Sequence, residues 1–396
     1  MMGSRILVVA PEPFYEDRGT PICVRQVLEA LLHLGHTVDL LTYPVGHDLA
    51  MPGLSILRSA NPLSLRRVPI GFSWRKLVLD GPLAVRLRSL LRARPYDCVH
   101  ALEESAFPAA YFGRKYGKKV IYDMHSSMVE QLGARMEFRL VQPWLERMER
   151  WLLRSADAVV CSGGLSARVR EIAPEVRPKE WRFAPASSEV LEETVSRLRE
   201  DLGLAPDDRV VLYSGTFETY QGIPLLLDAA RTVLHDDPSA VLVLVGLTPG
   251  DGASVRADVN ALLPEARVRL VDRQPRNRLA AYLSMADVVV SPRTYGGNIP
   301  LKIFDYLAAG RPIVATDLPT HRGLLNGERA RLVSPSAPAL AAGILDVLQD
   351  RPRADAMAGA AREYADRTLG WRAFVRDVED LYRKVGIVPA TGHAAG

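Results

Sequence analysis

Cysteine is scarce in this chain, which has three cysteines among 396 residues, Cys23, Cys98 and Cys161. They are scattered without a Cys-x-x-Cys spacing, which argues against a disulfide framework and suits a reduced, cytosolic protein with thiols in its core. No run of 18 apolar residues occurs, and the N-terminus lacks the charged and apolar regions of a signal peptide. We therefore expect a cytoplasmic protein that neither spans a membrane nor is secreted.

Several catalytic motifs are missing as well. The chain has no Gly-x-Gly-x-x-Gly of dinucleotide sites, no Gly-Lys-Ser/Thr of phosphate-binding loops, no His-Glu-x-x-His of zinc hydrolases and no Asp-x-Asp of metal-dependent transferases. The segment Gly164–Arg168 lacks the final glycine of a hydrolase nucleophile elbow. We therefore predict neither a metal ion nor a bound cofactor.

Short apolar runs alternate with amphipathic segments along the chain, a pattern typical of doubly wound α/β domains with parallel sheets. The length and a hydrophobic content of 48% suffice for two cores. We predict a first Rossmann-like domain over residues 1–182, a linker over 183–208 and a second Rossmann-like domain over 209–370. Residues 371–386 are predicted to form a terminal helix, and 387–396 a disordered tail.

One stretch of the second domain predicts a strand, a loop, a helix and a second strand. Val288–Val290 and Ile313–Ala315 are apolar, β-branched runs, and Pro300 and Gly310 bound the helix between them. The loop Pro292–Ile299 then projects from the carboxyl edge of the sheet. Free backbone N–H groups at the helix N-terminus favour an anion there.

Lys302 lies in the first turn of this helix, where a cation opposes the helix dipole by roughly 0.3–1 kcal/mol unless a negative charge is near. Asp305 lies three residues on, so an ordinary surface pair between Lys302 and Asp305 is one interpretation. In the other, the negative charge is a ligand phosphate, and Asp305 accepts hydrogen bonds from a ribose diol. We favour the phosphate.

The segment resembles the donor-site signature of GT-B glycosyltransferases, especially the retaining, nucleotide-sugar-dependent enzymes of family 4. The resemblance implies two Rossmann-like domains facing across a cleft, the first on the acceptor side and the second on the donor side, with a terminal helix that crosses back to the first. Family members carry two glutamates, whose positions here are Gly297 and Asp305. By this resemblance the backbone N–H of Gly297, the neighbouring Asn298 and Ile299, and the Asp305 carboxylate contact the donor.

The same resemblance assigns diphosphate binding to the loop after the first strand of the second domain. Family members have an arginine just after Gly215 and a lysine five residues later, whereas this chain has Thr216 and Gln221. Preorganised cations at a leaving diphosphate are commonly worth several kcal/mol each. Two interpretations follow: Lys302 and Arg293 neutralise the diphosphate instead, or the protein binds nucleotide sugars poorly.

Two elements of the first domain also match the family. Gly19 and Thr20 occupy the loop that, by the resemblance, faces the acceptor and the diphosphate. His125 directly follows a predicted strand, where the resemblance implies that the imidazole approaches the transferring sugar and makes this residue the catalytic candidate. A lone histidine is more often structural, so the assignment depends on the rest of the pattern.

Residues 61–94 concentrate positive charge, with eight Lys or Arg and one acid, Asp80, for a net charge of +7 against +4 for the whole chain. Leucines at helical spacing predict a docked helix with a solvated basic face. With Phe72 and Trp74 nearby, an anionic membrane surface is an equally weighted partner. No nucleic-acid-binding motif accompanies the charge, so we predict no nucleic-acid partner.

Two functions remain open at this point. The first is a metal-independent glycosyltransferase that moves a sugar from a nucleoside-diphosphate sugar, its co-substrate, to a hydroxyl of a glycan or lipid-linked acceptor. It would serve glycan, glycolipid or envelope polysaccharide synthesis in the cytoplasm or at the inner face of the membrane. The alternative is a catalytically inactive GT-B scaffold or regulator, because fold alone does not settle function.

Overall fold

The computed structural model describes residues 3–16, 19–66, 68, 74–127, 129, 142–186, 191–248, 250 and 252–390. The chain forms two compact units. Unit 1 contains Met1–Phe183 and Trp371–Gly396, and unit 2 contains Ala184–Gly370. Each is an α/β unit around its own parallel sheet, as the apolar runs predicted.

Unit 1 is built on a seven-stranded parallel sheet with the order β3-β2-β1-β4-β5-β6-β7. The direction of the strand order reverses between β1 and β4, which is the position where ligands bind in such sheets. Its strands are β1 (Arg5–Ala10), β2 (Thr37–Thr42), β3 (Leu54–Arg58), β4 (Cys98–Leu102), β5 (Lys119–Met124), β6 (Ala158–Ser162) and β7 (Lys179–Trp181).

The described helices of unit 1 cover this sheet because each has one apolar face. In the second of them Leu79, Leu83, Leu87, Leu90 and Leu91 are buried, as the leucine spacing predicted. These leucines join strand residues in one core. The helices are α1 (Gly19–His33), α2 (Trp74–Ala93), α3 (Ala106–Lys115), α4 (Gln142–Ser155), α5 (Gly163–Ile172) and, after unit 2, the terminal helix Trp371–Lys384.

Unit 2 is built on a six-stranded parallel sheet with the order β10-β9-β8-β11-β12-β13. The order reverses between β8 and β11, so the loops after these two strands meet at the carboxyl edge. Its strands are β8 (Arg209–Ser214), β9 (Ala240–Leu247), β10 (Val268–Asp272), β11 (Val288–Ser291), β12 (Ile313–Thr316) and β13 (Arg331–Val333).

Several helices of unit 2 bury apolar residues in a second core around β8, β9 and β11. The helix after β11 ends at Gly310, whose φ of +59° is a left-handed cap that glycine adopts without strain. The described helices are α6 (Glu192–Asp201), α7 (Ile223–Asp236), α8 (Gly252–Leu262), α9 (Arg276–Ser284), α10 (Leu301–Ala309), α11 (Pro319–Arg322), α12 (Ala337–Gln349) and α13 (Arg351–Thr368), and we label the terminal helix of unit 1 α14.

The two-domain α/β prediction is confirmed, with local differences. Strands β3 and β7 were not predicted: β3 is only half-buried, and β7 has three residues, so neither gives a strong apolar run. Gly19 and Thr20 were placed in a loop, but both lie in the first turn of α1. The stretch 183–208, predicted as a linker with a helical first part, carries α6, which packs on α9.

Parts of other predictions lie outside the described residues. These are 187–190 of the linker, residues 67 and 69–73 of the basic segment, and 391–396 of the tail. No helix among the described residues combines the length and apolarity needed to cross a bilayer. The three cysteines are buried and unpaired with one another.

Candidate functional site

Two loops interlock at the carboxyl edge of unit 2, one after β8 and one after β11. The amide of Thr294 donates to the Tyr220 carbonyl over 3.0 Å. Gly222 has a φ of +75°, and a Cβ there would lie 2.0 Å from the Pro292 carbonyl oxygen, so the close approach requires glycine. We call this region, residues 214–222 and 291–302, the β8/β11 edge.

Buried hydrogen bonds fix the loop that follows β11. The Thr316 hydroxyl donates to the Arg293 carbonyl at 2.5 Å. Nδ1 of His321 donates to the Thr316 carbonyl at 2.6 Å, so Nε2 accepts from the Ser291 hydroxyl at 2.9 Å. Burial lowers the pKa of His321 to about 4, which keeps the ring neutral in this network.

Arg293 is folded back onto its own loop. Its Nε donates to the Tyr295 carbonyl at 2.8 Å, and its Nη1 and Nη2 donate to the Asn298 carbonyl and side-chain oxygen at 3.2 and 2.9 Å. The guanidinium lies 5.0 Å from the ring centroid of Tyr220. Arg293 therefore shapes the loop and places a positive charge beneath it, while Asn298 serves as its acceptor.

Lys302 is the most unusual side chain of the edge. It is 8% exposed, and its Nζ has no hydrogen-bond partner among the described residues. The ammonium lies 3.9 Å from the ring centroid of Tyr213. Burial, and then the charge of Arg293, hold the pKa of Lys302 well below its ordinary value. Two basic side chains, Lys302 and Arg293, are therefore buried near each other at this edge.

Gly215 makes room for this amine. Its φ is +141°, and a Cβ built on it would lie 2.8 Å from Lys302 Nζ. Beside it, the Tyr213 hydroxyl donates to the Thr216 carbonyl at 2.5 Å. The structure thus brings Gly215, Thr216 and Lys302 together, as the sequence interpretation required, although no cation stands at Thr216.

Gln221 occupies the second position where the resemblance implied a cation. It is 8% exposed, and its Nε2 lies 3.5 Å from the Thr216 hydroxyl. Its Oε1 is buried without a hydrogen-bond partner in the described part of the chain. Unsatisfied buried polar atoms are uncommon in folded proteins, and this edge holds two of them among the described residues, Lys302 Nζ and Gln221 Oε1.

Asp305 accepts two hydrogen bonds that the sequence did not indicate. Its Oδ1 accepts from the amide of Ala186 at 2.6 Å and from Nη2 of Arg276 at 3.2 Å. The proposed surface pair is wrong, because both Lys302 and Asp305 are buried and Lys302 Nζ makes no hydrogen bond within the described residues. A ribose contact of Asp305 would therefore have to use its other oxygen.

The remaining donor-side candidates belong to the same loop. Gly297 and Asn298 are partly exposed, whereas Ile299 is buried. A Cβ on Gly323 would lie 2.9 Å from the Ile299 side chain, so Ile299 anchors the loop by packing. Of the predicted set, Gly297 keeps an accessible position, and Ile299 acts through the core.

In unit 1, His125 directly follows β5 and is 12% exposed. Its Nε2 lies 3.3 Å from Oδ1 of Asp123, the last but one residue of the strand. Burial lowers the pKa of His125, but Asp123 and Cys23 outweigh burial and raise it well above its ordinary value. Gly19 and Thr20 lie one helical turn before Cys23 on α1.

Sequence reasoning missed the buried partners of Asp123. Trp181 Nε1 donates to Asp123 Oδ1 at 3.0 Å, and His100 Nε2 contacts Oδ2 at 3.2 Å. His100 Nδ1 contacts the Tyr382 hydroxyl of α14 at 2.8 Å. The sequence held one signal for this cluster: His100 is a polar residue inside the apolar strand β4, and such a residue needs a buried partner. Within the described residues there is no group of three His, Cys, Asp or Glu that could hold a metal ion.

Two family patterns match the chain. "Glycosyl transferases group 1" matches residues 195–364, and "Glycosyl transferase 4-like domain" matches residues 18–186. Among similar proteins is the phosphatidyl-myo-inositol mannosyltransferase of Mycobacterium leprae, 23% identical over 96% of this chain and 97% of the relative. A D-inositol 3-phosphate glycosyltransferase of Streptosporangium roseum is 26% identical over 92% of this chain and 88% of its own length.

Solved structures share the fold. Sucrose-phosphate synthase from Thermosynechococcus elongatus superposes with a TM-score of 0.78 at 23% identity and covers 97% of this chain and 99% of its own. Anabaena HepE, in complex with UDP and glucose, has a TM-score of 0.74 at 16% identity, with 95% of this chain and 98% of that chain covered. With both family patterns matched along the sequence and this fold, the chain belongs to the GT-B glycosyltransferases of the family 4 type.

Proposed function

We propose that this glycosyltransferase uses a nucleoside-diphosphate sugar and transfers its sugar with retention to a hydroxyl of a glycan or lipid-linked acceptor. Such a reaction would serve glycan, glycolipid or envelope polysaccharide synthesis. The observation that carries the proposal is the amine of Lys302, which is buried and lacks a hydrogen-bond partner among the described residues.

A buried ammonium without a partner is costly, and a second cation nearby increases the cost. Lys302 and Arg293 both stand at the β8/β11 edge, where α10 also begins and its free N–H groups carry partial positive charge. A diphosphate carries the opposite charge. It would give Lys302 a partner of opposite charge, whereas the described residues offer this amine the Tyr213 ring and no hydrogen bond.

The neighbouring groups supply the rest of a donor site in this proposal. The N–H groups near Gly297 offer donors to phosphate or sugar oxygens, and Gln221 offers a buried acceptor to a hydroxyl. Thr216 and Asn298 complete the polar lining. Donors fixed in advance stabilise the charge that develops on a leaving diphosphate, and they need not reorganise during the reaction. In unit 1, His125 is the proposed catalytic contact to substrate.

Nucleotide binding followed by turnover tests the proposal. Thermal unfolding is measured with UDP, GDP, ADP and TDP, each with and without common sugars; at 100 times its Kd the correct ligand adds about 2.7 kcal/mol. The diphosphate sugar so identified is then incubated with lipid and glycan acceptors, and the anomeric configuration of the product is read by NMR. No stabilisation by any nucleotide would favour the inactive scaffold instead.

The helical face of unit 1 supports the proposed lipid-linked side of this function. Helices α2, α3 and α4 pack side by side over one core. Six large apolar side chains on them are 45–71% exposed: Trp74, Leu77, Val85, Tyr111, Trp144 and Trp151. Nine exposed cations accompany them: Arg75, Arg86, Arg88, Arg92, Arg114, Lys115, Arg147, Arg150 and Arg154.

The acids on these helices do not balance that charge at the surface. Asp80, Glu146 and Glu149 are buried or partly buried. Tryptophan and tyrosine prefer the membrane interface, and each basic residue near an anionic surface contributes about 1 kcal/mol. We therefore propose that this face lies on the anionic inner surface of a membrane, and that the basic segment 61–94 forms one part of it.

Vesicle sedimentation tests the membrane contact. Binding is compared for vesicles of phosphatidylcholine alone and of phosphatidylcholine with phosphatidylglycerol. We expect binding only to the anionic vesicles, weakened by salt, and reduced roughly fivefold for each charge lost in Arg147→Gln and Arg150→Gln. Arg197→Gln, an exposed arginine of α6, is the matched control. The proposal would be wrong if the protein bound both kinds of vesicle equally, or if Arg197→Gln lost as much binding as the other two variants.

A further inference from the structure

The carboxylate of Asp123 is deeply buried in unit 1 and contacts two neighbouring strands and the residue that follows its own strand. It is 1% exposed. Trp181 of β7 donates to Oδ1 at 3.0 Å, His100 of β4 contacts Oδ2 at 3.2 Å, and His125 lies 3.3 Å from Oδ1. Burial alone would raise the pKa of Asp123, but the two histidines outweigh burial and lower it, so the group is ionised.

A buried carboxylate requires a compensating positive charge. Among the described residues, no lysine or arginine forms an ion pair with Asp123, and its basic neighbours are His100 and His125. His100 lies between Asp123 and the Tyr382 hydroxyl, which is 2.8 Å from its Nδ1. Asp123 and Cys23 raise the pKa of His125 well above its ordinary value, so His125 is the imidazole that carries the compensating charge.

The other groups that face His125 act in the same direction. The Cys23 thiol of α1 lies against the imidazole, and Glu12, after β1, acts on that thiol. The charge of His125 lowers the pKa of Glu103, which follows β4, although burial raises it overall. Glu103 also accepts a hydrogen bond from the Ser126 hydroxyl at 2.8 Å. The Phe183 ring packs 6.4 Å away and carries no charge. None of these described neighbours is a cation.

We propose that Asp123 is a positioning residue that keeps His125 protonated, so that His125 acts on the substrate as a fixed positive charge and not as a general base. This inference rests on the proposed function, in which His125 contacts substrate. To act as a base, His125 would first have to be neutral. The ionised, buried carboxylate of Asp123 would then lack a positive partner, which is unfavourable. A fixed cation instead stabilises negative charge that develops during transfer.

Histidine NMR tests the protonation without any substrate. The protein is labelled at the imidazole carbons, and His125→Gln assigns the His125 signal among the eight histidines. In the wild type we expect the His125 titration midpoint to lie above the ordinary value of about 6.5. In Asp123→Asn we expect it to fall below the wild-type midpoint. Trp181→Phe, which keeps the carboxylate, is the control and retains the high midpoint.

A wild-type midpoint at or below about 6.5 would overturn the inference, even if Asp123→Asn does not fold. An unchanged midpoint in a folded Asp123→Asn would overturn it equally. Once a donor is known, the pH dependence of kcat gives a second readout. In the wild type kcat should fall as pH rises through the His125 midpoint, and in Asp123→Asn this fall should occur at a lower pH. A rise of kcat through that midpoint would identify a base. If no donor is found, the proposed function fails while the NMR result still stands.

Discussion

Replacing Lys302 with methionine should stabilise the ligand-free protein and abolish its response to nucleoside diphosphates. Methionine keeps the aliphatic length of the side chain and removes the buried amine. An unsatisfied buried polar group costs about 1–3 kcal/mol, and the contact of the ammonium with the Tyr213 ring returns about 0.5–2 kcal/mol. We therefore expect a net gain of about 1 kcal/mol in the free energy of unfolding.

A gain of that size raises Tm by about 2–4 °C for a unit of this length. In the wild type, a nucleoside diphosphate at 100 times its Kd adds about 2.7 kcal/mol; in Lys302→Met this addition should be absent. The two shifts have opposite signs, so general damage to the fold cannot produce both. Lys384→Met, an exposed lysine of α14, is the control and should show neither shift.

The same reasoning predicts how the stability difference between the wild type and Lys302→Met changes with pH. The pKa of Lys302 is lower in the folded protein than in the unfolded chain, so between the two values the unfolded chain binds more protons and stability rises with pH. The advantage of Lys302→Met should therefore shrink as pH rises towards about 10.4. A methionine variant that is less stable without ligand, or that still responds to nucleotide, would refute the assignment.

Three further predictions concern Gly215 of this edge and two buried residues outside it, Asp305 and His321. Gly215→Ala should lower the free energy of unfolding by at least about 1 kcal/mol and weaken nucleotide stabilisation, because φ is +141° and Lys302 Nζ would be 2.8 Å from the new Cβ; a thermal melt as stable as wild type would contradict this. Asp305→Ala should destabilise the ligand-free protein by about 1–3 kcal/mol in denaturant titration, since the Ala186 amide and Arg276 lose their acceptor; a loss seen only with nucleotide would contradict it. Stability should fall as pH drops from about 6.5 towards 4, by roughly 3 kcal/mol in total, because His321 must be neutral in the folded state; His321→Asn should flatten that slope.

The donor-side loop shows how far sequence reasoning reached. The apolar runs Val288–Val290 and Ile313–Ala315, with Gly310 between them, predicted a βαβ unit, and the structure contains it as β11, α10 and β12. That prediction succeeded because strand and helix periods are local properties of the chain. The position of Lys302 in the first turn was equally local.

The partners of these residues were not local. Asp305 is bound by Ala186 and Arg276, which precede it by 119 and 29 residues, and these contacts take the place of the surface pair with Lys302 that the sequence allowed. From the sequence, Arg293 was a candidate to neutralise the diphosphate. In the structure its guanidinium donates hydrogen bonds to Tyr295 and Asn298 of its own loop. Strand β7, three residues long, carries too few residues for a period to show.

The sequence by itself determined the alternation of strands and helices, the family resemblance and the residue types at each strand end. The tertiary structure decided which of those side chains are buried together: Lys302 beside Tyr213 and Gly215, and Asp123 between His100 and His125. The physical reason is that local periodicity sets which face of an element is apolar, whereas several contacts of a buried charge, such as those of Asp123 with His100 and Trp181, come from distant segments that packing brings close. The function of a titratable group depends on that partner.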